Sequence, residues 1–110
     1  MAKGGFPGMS GAHMQQMIKQ AQKMQQDVAR LQEELNEREF SAQAGGVVKA
    51  TVYGRKEIKS IEIDPSCVDP NDVEMLEDLI KAAVNEALRS AEETISTEMG
   101  RLTGGMGLGF

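Results

Sequence analysis

MQQMIKQAQKMQQDVARLQEEL, residues 14–35, carries apolar side chains at Met14, Met17, Ala21, Met24, Val28, Leu31 and Leu35, alternately three and four residues apart. That alternation lines all seven along one narrow seam of a helix, the spacing used by coiled coils. From Ser10, a residue suited to N-capping, to about Arg38 the chain has no glycine after Gly11 and no proline. Gln, Lys, Glu, Met and Leu dominate there, and all are good helix formers, so one long helix is predicted. About 28 residues at about 1.5 Å each give roughly 42 Å of helix, more than a three-strand sheet of this size can cover. Part of the seam must therefore meet another partner, either the second helix of the same chain or the matching helix of a second copy.

After this helix the periodicity changes. Phe40, Ala42 and Ala44 alternate with polar neighbours, Gly45-Gly46 supplies the positive φ values of a two-residue hairpin turn, and Val48, Ala50 and Val52 resume the alternation. A turn around Gly54-Arg55-Lys56 leads to a third antiparallel strand in which Ile61 and Ile63 share a face. Ile58 falls out of phase, as a β-bulge would make it. Asp64-Pro65 closes the strand, because proline cannot donate to the ladder.

Asp69-Pro70-Asn71-Asp72 reads as a helix start, with a carboxylate at N-cap, proline at N1 and a second acid near the positive helix end. The helix that follows, to about Met99, has a broad apolar stripe from Val73 through Leu76, Leu79, Ile80, Ala83, Val84, Ala87, Leu88 and Ala91 to Ile95. A broad stripe suits packing on a sheet and a neighbouring helix together, whereas a narrow seam suits one helical partner. The predicted fold is α+β: a long N-terminal helix, a three-stranded antiparallel sheet and a long C-terminal helix. Residues 1–9 and 101–110 are glycine-rich and aperiodic and read as flexible tails around a single domain over residues 10–100.

At 110 residues there is room for one core. With three Phe, one Tyr and no Trp that core is thin, a situation often remedied by a second subunit. Cys67 is the only cysteine, which excludes an intramolecular disulfide and a thiolate-rich metal site within one chain and suits a reducing cytosol. No segment reaches the roughly 20 apolar residues of a membrane span and the N-terminus has no signal-peptide pattern, so a soluble, cytoplasmic protein without a membrane partner is expected.

The net charge of −5 conceals an uneven distribution. Lys3, Lys19, Lys23 and Arg30 face Asp27 alone in residues 1–30, a local +3, and residues 41–63 hold Lys49, Arg55, Lys56 and Lys59 against Glu57 and Glu62, a local +2. Asp64, Asp69, Asp72, Glu74, Glu77 and Asp78 concentrate −6 in residues 64–78. A basic surface is therefore compatible with an acidic chain. Lys19, Lys23 and Arg30 cluster on the side of the first helix away from the seam, a stripe suited to phosphates. Spacing alone favours an ordinary solvated face.

Nothing points to an enzyme. His13, the only histidine, has no orienting partner in view and reads as an exposed helix-start residue. Cys67 reads as an inert thiol, and the acids at 64–78 lack the spacing of a calcium loop. The terminal glycines form no phosphate loop. The methionines of the first helix are explained by heptad packing, although their flexibility favours a partner interface. No cofactor, metal or small-molecule substrate is expected.

Taken in order, IKQAQKMQQDVARLQEEL at 18–35, GGVVKATVYG at 45–54, IEIDPS at 61–66, EMLEDLIKAAVNEAL at 74–88, EE at 92–93 and the Gly/Met/Leu tail ending in Phe110 resemble the bacterial YbaB/EbfC family of nucleoid-associated proteins. The resemblance covers about three quarters of the chain. It implies a tweezer-like homodimer with paired helices projecting from a central body, binding of double-stranded DNA and association with the nucleoid. It also implies a supporting role beside replication or recombination proteins. On this reading Lys19, Lys23 and Arg30 of the first helix, with Arg89 and Arg101 of the second, contact phosphates. Base readout is expected to be slight, since no short recognition helix follows a tight turn. The rival expectation is a protein-interaction adaptor that uses the Met-rich helix and the acidic patch.

Overall fold

The computed structural model describes residues 11–104. Helix α1 spans Gly11–Glu37, strands β1, β2 and β3 span Glu39–Ala44, Val48–Tyr53 and Ile58–Ile63, a single 3-10 turn covers Pro65–Cys67, and helix α2 spans Val73–Gly104. The sequence-predicted order and class therefore hold: two long helices and a three-stranded antiparallel sheet of order β1-β2-β3. Among the described residues two compact units are distinguished, divided between Leu31 and Gln32. The proposed N-cap Ser10 and the segment 1–9 lie outside the described residues.

In the second unit, β1 and β2 pair with Phe40 opposite Val52, Ala42 opposite Ala50 and Ala44 opposite Val48. Gly45 and Gly46 have φ of 60° and 70°, and the Val47 N–H donates to the Ala44 carbonyl across them, as the glycine pair predicted. Val47 then stands as an extra residue before the ladder resumes, so the connection is three residues long rather than two. The bulge expected at Ile58 is present. Thr51 pairs with Ser60 but Val52 pairs with Ile58, leaving Lys59 unmatched and returning Ile58 to the face of Ile61 and Ile63.

Helix α2 packs on β1 and β2. Ala83, Ala87 and Ala91, spaced one turn apart, bring the helix axis close to the sheet, where they bury with Phe40, Ala44, Val48, Ala50 and Val52. Leu76, Leu79, Ile80, Val84 and Leu88 flank this layer, and the half-buried Cys67 packs at its margin. On the opposite face the buried Thr51 is satisfied by a 2.9 Å hydrogen bond with Ser41 Oγ. Strand β3 lacks such a cover: Ile58, Ile61 and Ile63 keep 49%, 38% and 36% of their surface exposed.

Two expectations at the ends of α2 are corrected. The N-cap is Asp72, whose carboxylate accepts from the Met75 N–H at 3.2 Å, and not Asp69. Asp69 instead accepts from the Asn71 N–H at 2.9 Å and closes a turn with the Asp72 N–H, so Pro70 lies in that turn and Val73 is the first helical residue. At the other end α2 continues past Met99 through Gly104. Arg101–Gly104, read as the start of a tail, are helical, with the Thr103 hydroxyl donating to the Met99 carbonyl at 3.0 Å and Arg101 pairing with Glu98.

Candidate nucleic-acid interface

An uninterrupted α1 places Lys19 and Lys23 one above the other, because side chains four residues apart share a helical face. Arg30 falls on the same stripe two turns farther on, roughly 145° around the helix from the Met14–Leu35 seam. All three are exposed. Among the described residues neither lysine has a carboxylate within ion-pair distance, so both ammonium groups are free to meet an external anion. Arg30 differs: its guanidinium bonds the Asp27 carboxylate at 2.7 Å. That pair is solvent-exposed, holds only part of a five-donor group and is weak enough to exchange for a phosphate.

The seam on the other side shows graded burial. Met14 and Met17 are 54% exposed, Ala21 is exposed, Met24, Val28 and Leu31 are half-buried, and Leu35 is buried. Leu35 sits where α1 joins the body. There the Leu35 carbonyl accepts from the Arg38 N–H, and Gly54 passes so close that a β-carbon on it would be driven into that carbonyl group.

The two candidates on α2 do not form one site. Arg89 and Arg101 are twelve residues apart, roughly 18 Å along the axis and about 120° around it. Each is bonded to an acid three residues earlier, Arg89 to Glu86 at 2.7 Å and Arg101 to Glu98 at 3.3 Å, and all of these groups are solvated.

A network unforeseen from the sequence lies at the opposite end of the sheet from the glycine hairpin. Arg55 bridges Glu37 at 2.8 Å and Glu57 at 2.7 Å while its guanidinium stacks 4.0 Å from the Tyr53 ring centre. Lys59 bonds Glu39 at 2.8 Å, and Arg38 lies 5.3 Å over the Phe40 ring. The hydrogen bond from Arg55 to Glu57 raises the arginine pKa, and the bond to Glu39 does the same for Lys59. The acids Glu37 and Glu39, which close α1 and its junction with β1, thus have partners 18 and 20 residues away in sequence. No local period signals such pairs. Part of the carboxylate charge at this end is thereby neutralised.

Among the described residues no three His, Cys, Asp or Glu side chains converge as metal ligands, and no helix is long and apolar enough to cross a membrane. His13 is exposed in the first turn of α1.

The model of the YbaB/EbfC DNA-binding family matches this chain over residues 9–106. The chain belongs to this family. Similar proteins include the nucleoid-associated protein of Alkaliphilus metalliredigens, 59% identical over 110 residues that span 98% of this chain and 96% of the relative. A nucleoid-associated protein of Clostridium acetobutylicum is 57% identical over 109 residues, 98% of this chain and 97% of the relative. In fold, the chain is similar to the crystal structure of an uncharacterised protein of Helicobacter pylori. The TM-score is 0.66 at 20% identity, covering 80% of this chain and 94% of that one.

Proposed function

We propose that this chain acts as a homodimer that binds double-stranded DNA with little sequence preference, through lysine and arginine contacts to phosphates. In the nucleoid it would help to organise the chromosome or regulate expression. The observation that carries the reading is the Lys19–Lys23 pair, exposed, one turn apart and without a carboxylate partner among the described residues, in a member of a DNA-binding family. Arg30 extends the same stripe, and Arg89 and Arg101 add exposed cations on α2. Relatives named nucleoid-associated proteins, at 57–59% identity, support the nucleoid as the place of action.

The homodimer is supported by two apolar surfaces that a single chain leaves open: the seam at Met14 and Met17, and the isoleucine strip of β3. A second copy offers an identical strip, the self-complementary arrangement that twofold dimers use. The test is binding of random-sequence duplex DNA at several salt concentrations, beside size-exclusion chromatography with light scattering. Each neutralised phosphate contributes about 0.9 to the slope of log affinity against log salt, so Lys19→Ala with Lys23→Ala should lower the slope by about 1.8 per chain while leaving the dimer intact. Undiminished affinity in that double variant would place the contacts elsewhere.

The rival reading, an adaptor for replication or recombination proteins that uses the Met-rich helix and the acidic patch at 64–78, draws on the exposed Met14 and Met17. It predicts a protein partner held through these side chains and no salt-dependent affinity for bare duplex DNA.

A further inference from the structure

Lys56, in the β2–β3 turn, has φ of 68° and is the one non-glycine residue of positive φ among the described residues. Crowding of the β-carbon disfavours that conformation, and glycine or asparagine are its ordinary occupants. The turn thus carries a long cation where a neutral asparagine would sit with less strain, and an isolated backbone outlier of this kind is a pointer to function.

The ammonium group has little internal employment. Its carboxylate partner among the described residues is Glu92 of α2, at 3.9 Å, the longest ion pair of the set, with both side chains well exposed. One turn earlier on α2 stands Arg89, whose own link is to Glu86. Lys56, Arg89 and Asn85, with Leu88 and Glu92, line one shallow, open depression of about 360 Å³. Two cations and a side-chain amide on an open surface suit the oxygens of a polymer backbone. A small molecule would need a more enclosed pocket.

We infer that Lys56 and Arg89 form a second phosphate-contacting position, built from the β2–β3 turn and the middle of α2 and separate from the lysine stripe of α1. This rests on the DNA-binding reading above and adds to it a contact on the sheet-bearing unit. Glu92 occupies the lysine loosely in the free protein and opposes the incoming phosphate, so its charge sets how tightly this position closes.

The experiment uses the full chain and fluorescence anisotropy with a random-sequence duplex across a salt series. Lys56→Asn removes the charge and keeps a residue tolerant of the turn, so thermal stability should not fall. Affinity should drop on the order of five- to ten-fold near 0.1 M salt, with the salt slope reduced by about 0.9 per chain. Lys56→Arg should restore both, and Glu92→Gln should tighten binding. Wild-type affinity and slope in Lys56→Asn overturn the inference, as does a loss that Lys56→Arg fails to repair. If Lys19→Ala with Lys23→Ala weakens binding while Lys56→Asn does not, the DNA-binding reading survives and this contact falls. If the wild-type chain does not bind duplex DNA at low salt, both fall.

Discussion

Ile61 lies directly across the ladder from Ala50, on the same face of the sheet, yet Ala50 is fully buried and Ile61 keeps 38% of its surface exposed. The difference arises because α2 covers β1 and β2 and leaves β3 open. Together with Ile58 and Ile63 this makes an apolar strip along a free strand edge, a feature that soluble chains ordinarily cover or break with charge. Replacing Ile61 by Glu should yield a monomer by light scattering with its circular dichroism unchanged. A dimer surviving at micromolar concentration would remove the strip from the interface.

Gly54 is set by proximity, since its backbone runs against the Leu35 carbonyl at the close of α1. The Gly54 N–H also donates to the Arg38 carbonyl at 2.9 Å, so the strand cannot move away without losing that bond. Gly54→Ala should cost on the order of 2–4 kcal/mol in urea unfolding, as overpacking against backbone does. A loss under about 0.5 kcal/mol, the usual range for a surface change, would mean that the junction yields easily.

The two acids before α2 have different tasks and should respond differently. Asp72 caps the helix through the Met75 N–H, so Asp72→Ala should destabilise by about 1 kcal/mol. Asp69→Ala removes only a turn contact and should cost less. Equal effects in thermal unfolding would return the cap to the Asp69 position.

Arg30 shares its guanidinium with Asp27, which holds one negative charge beside the lysine stripe. Asp27→Asn releases the arginine and should strengthen DNA binding by a modest factor, on the order of two-fold at low salt and vanishing at high salt. Weaker binding in this variant would mean that Asp27 positions Arg30 for its contact.

The Asp64 carboxylate accepts the Ser66 N–H at 2.9 Å, and that bond lowers its pKa below the ordinary aspartate value. A lowered folded-state pKa contributes stability that is present above the unfolded aspartate pKa and is lost as pH falls through the folded value. Asp64→Ala should therefore lower the thermal midpoint at neutral pH and have little effect at a pH below the folded pKa. Carboxyl NMR should place the Asp64 midpoint under 3.8. A midpoint at or above that value would contradict the geometry of this turn.

Much of the architecture was legible in the chain because it depends on local periodicity. The 3-4 spacing from Met14 to Leu35 marks α1, the alternation around Gly45-Gly46 marks the hairpin, and the displaced phase of Ile58 revealed the bulge at Lys59. The free lysine pair was visible for the same reason, since residues four apart on a helix must share a face. The start of α2 was misplaced by three residues because Asp69-Pro70 and Asp72 both carry capping chemistry, and only hydrogen-bond geometry chooses between them.

What the sequence by itself determined was the kind and order of the elements, together with the side of α1 that carries positive charge. Tertiary structure alone decided that α2 lies over β1 and β2 and leaves the β3 isoleucines uncovered. It also decided that Arg55 and Lys59 neutralise Glu37 and Glu39, and that Lys56 meets Arg89 at one depression. These contacts join residues from 18 to more than 30 positions apart in the chain. Periodicity reports only neighbours within a turn or a pleat, so distant pairings emerge when the helix has settled on the sheet.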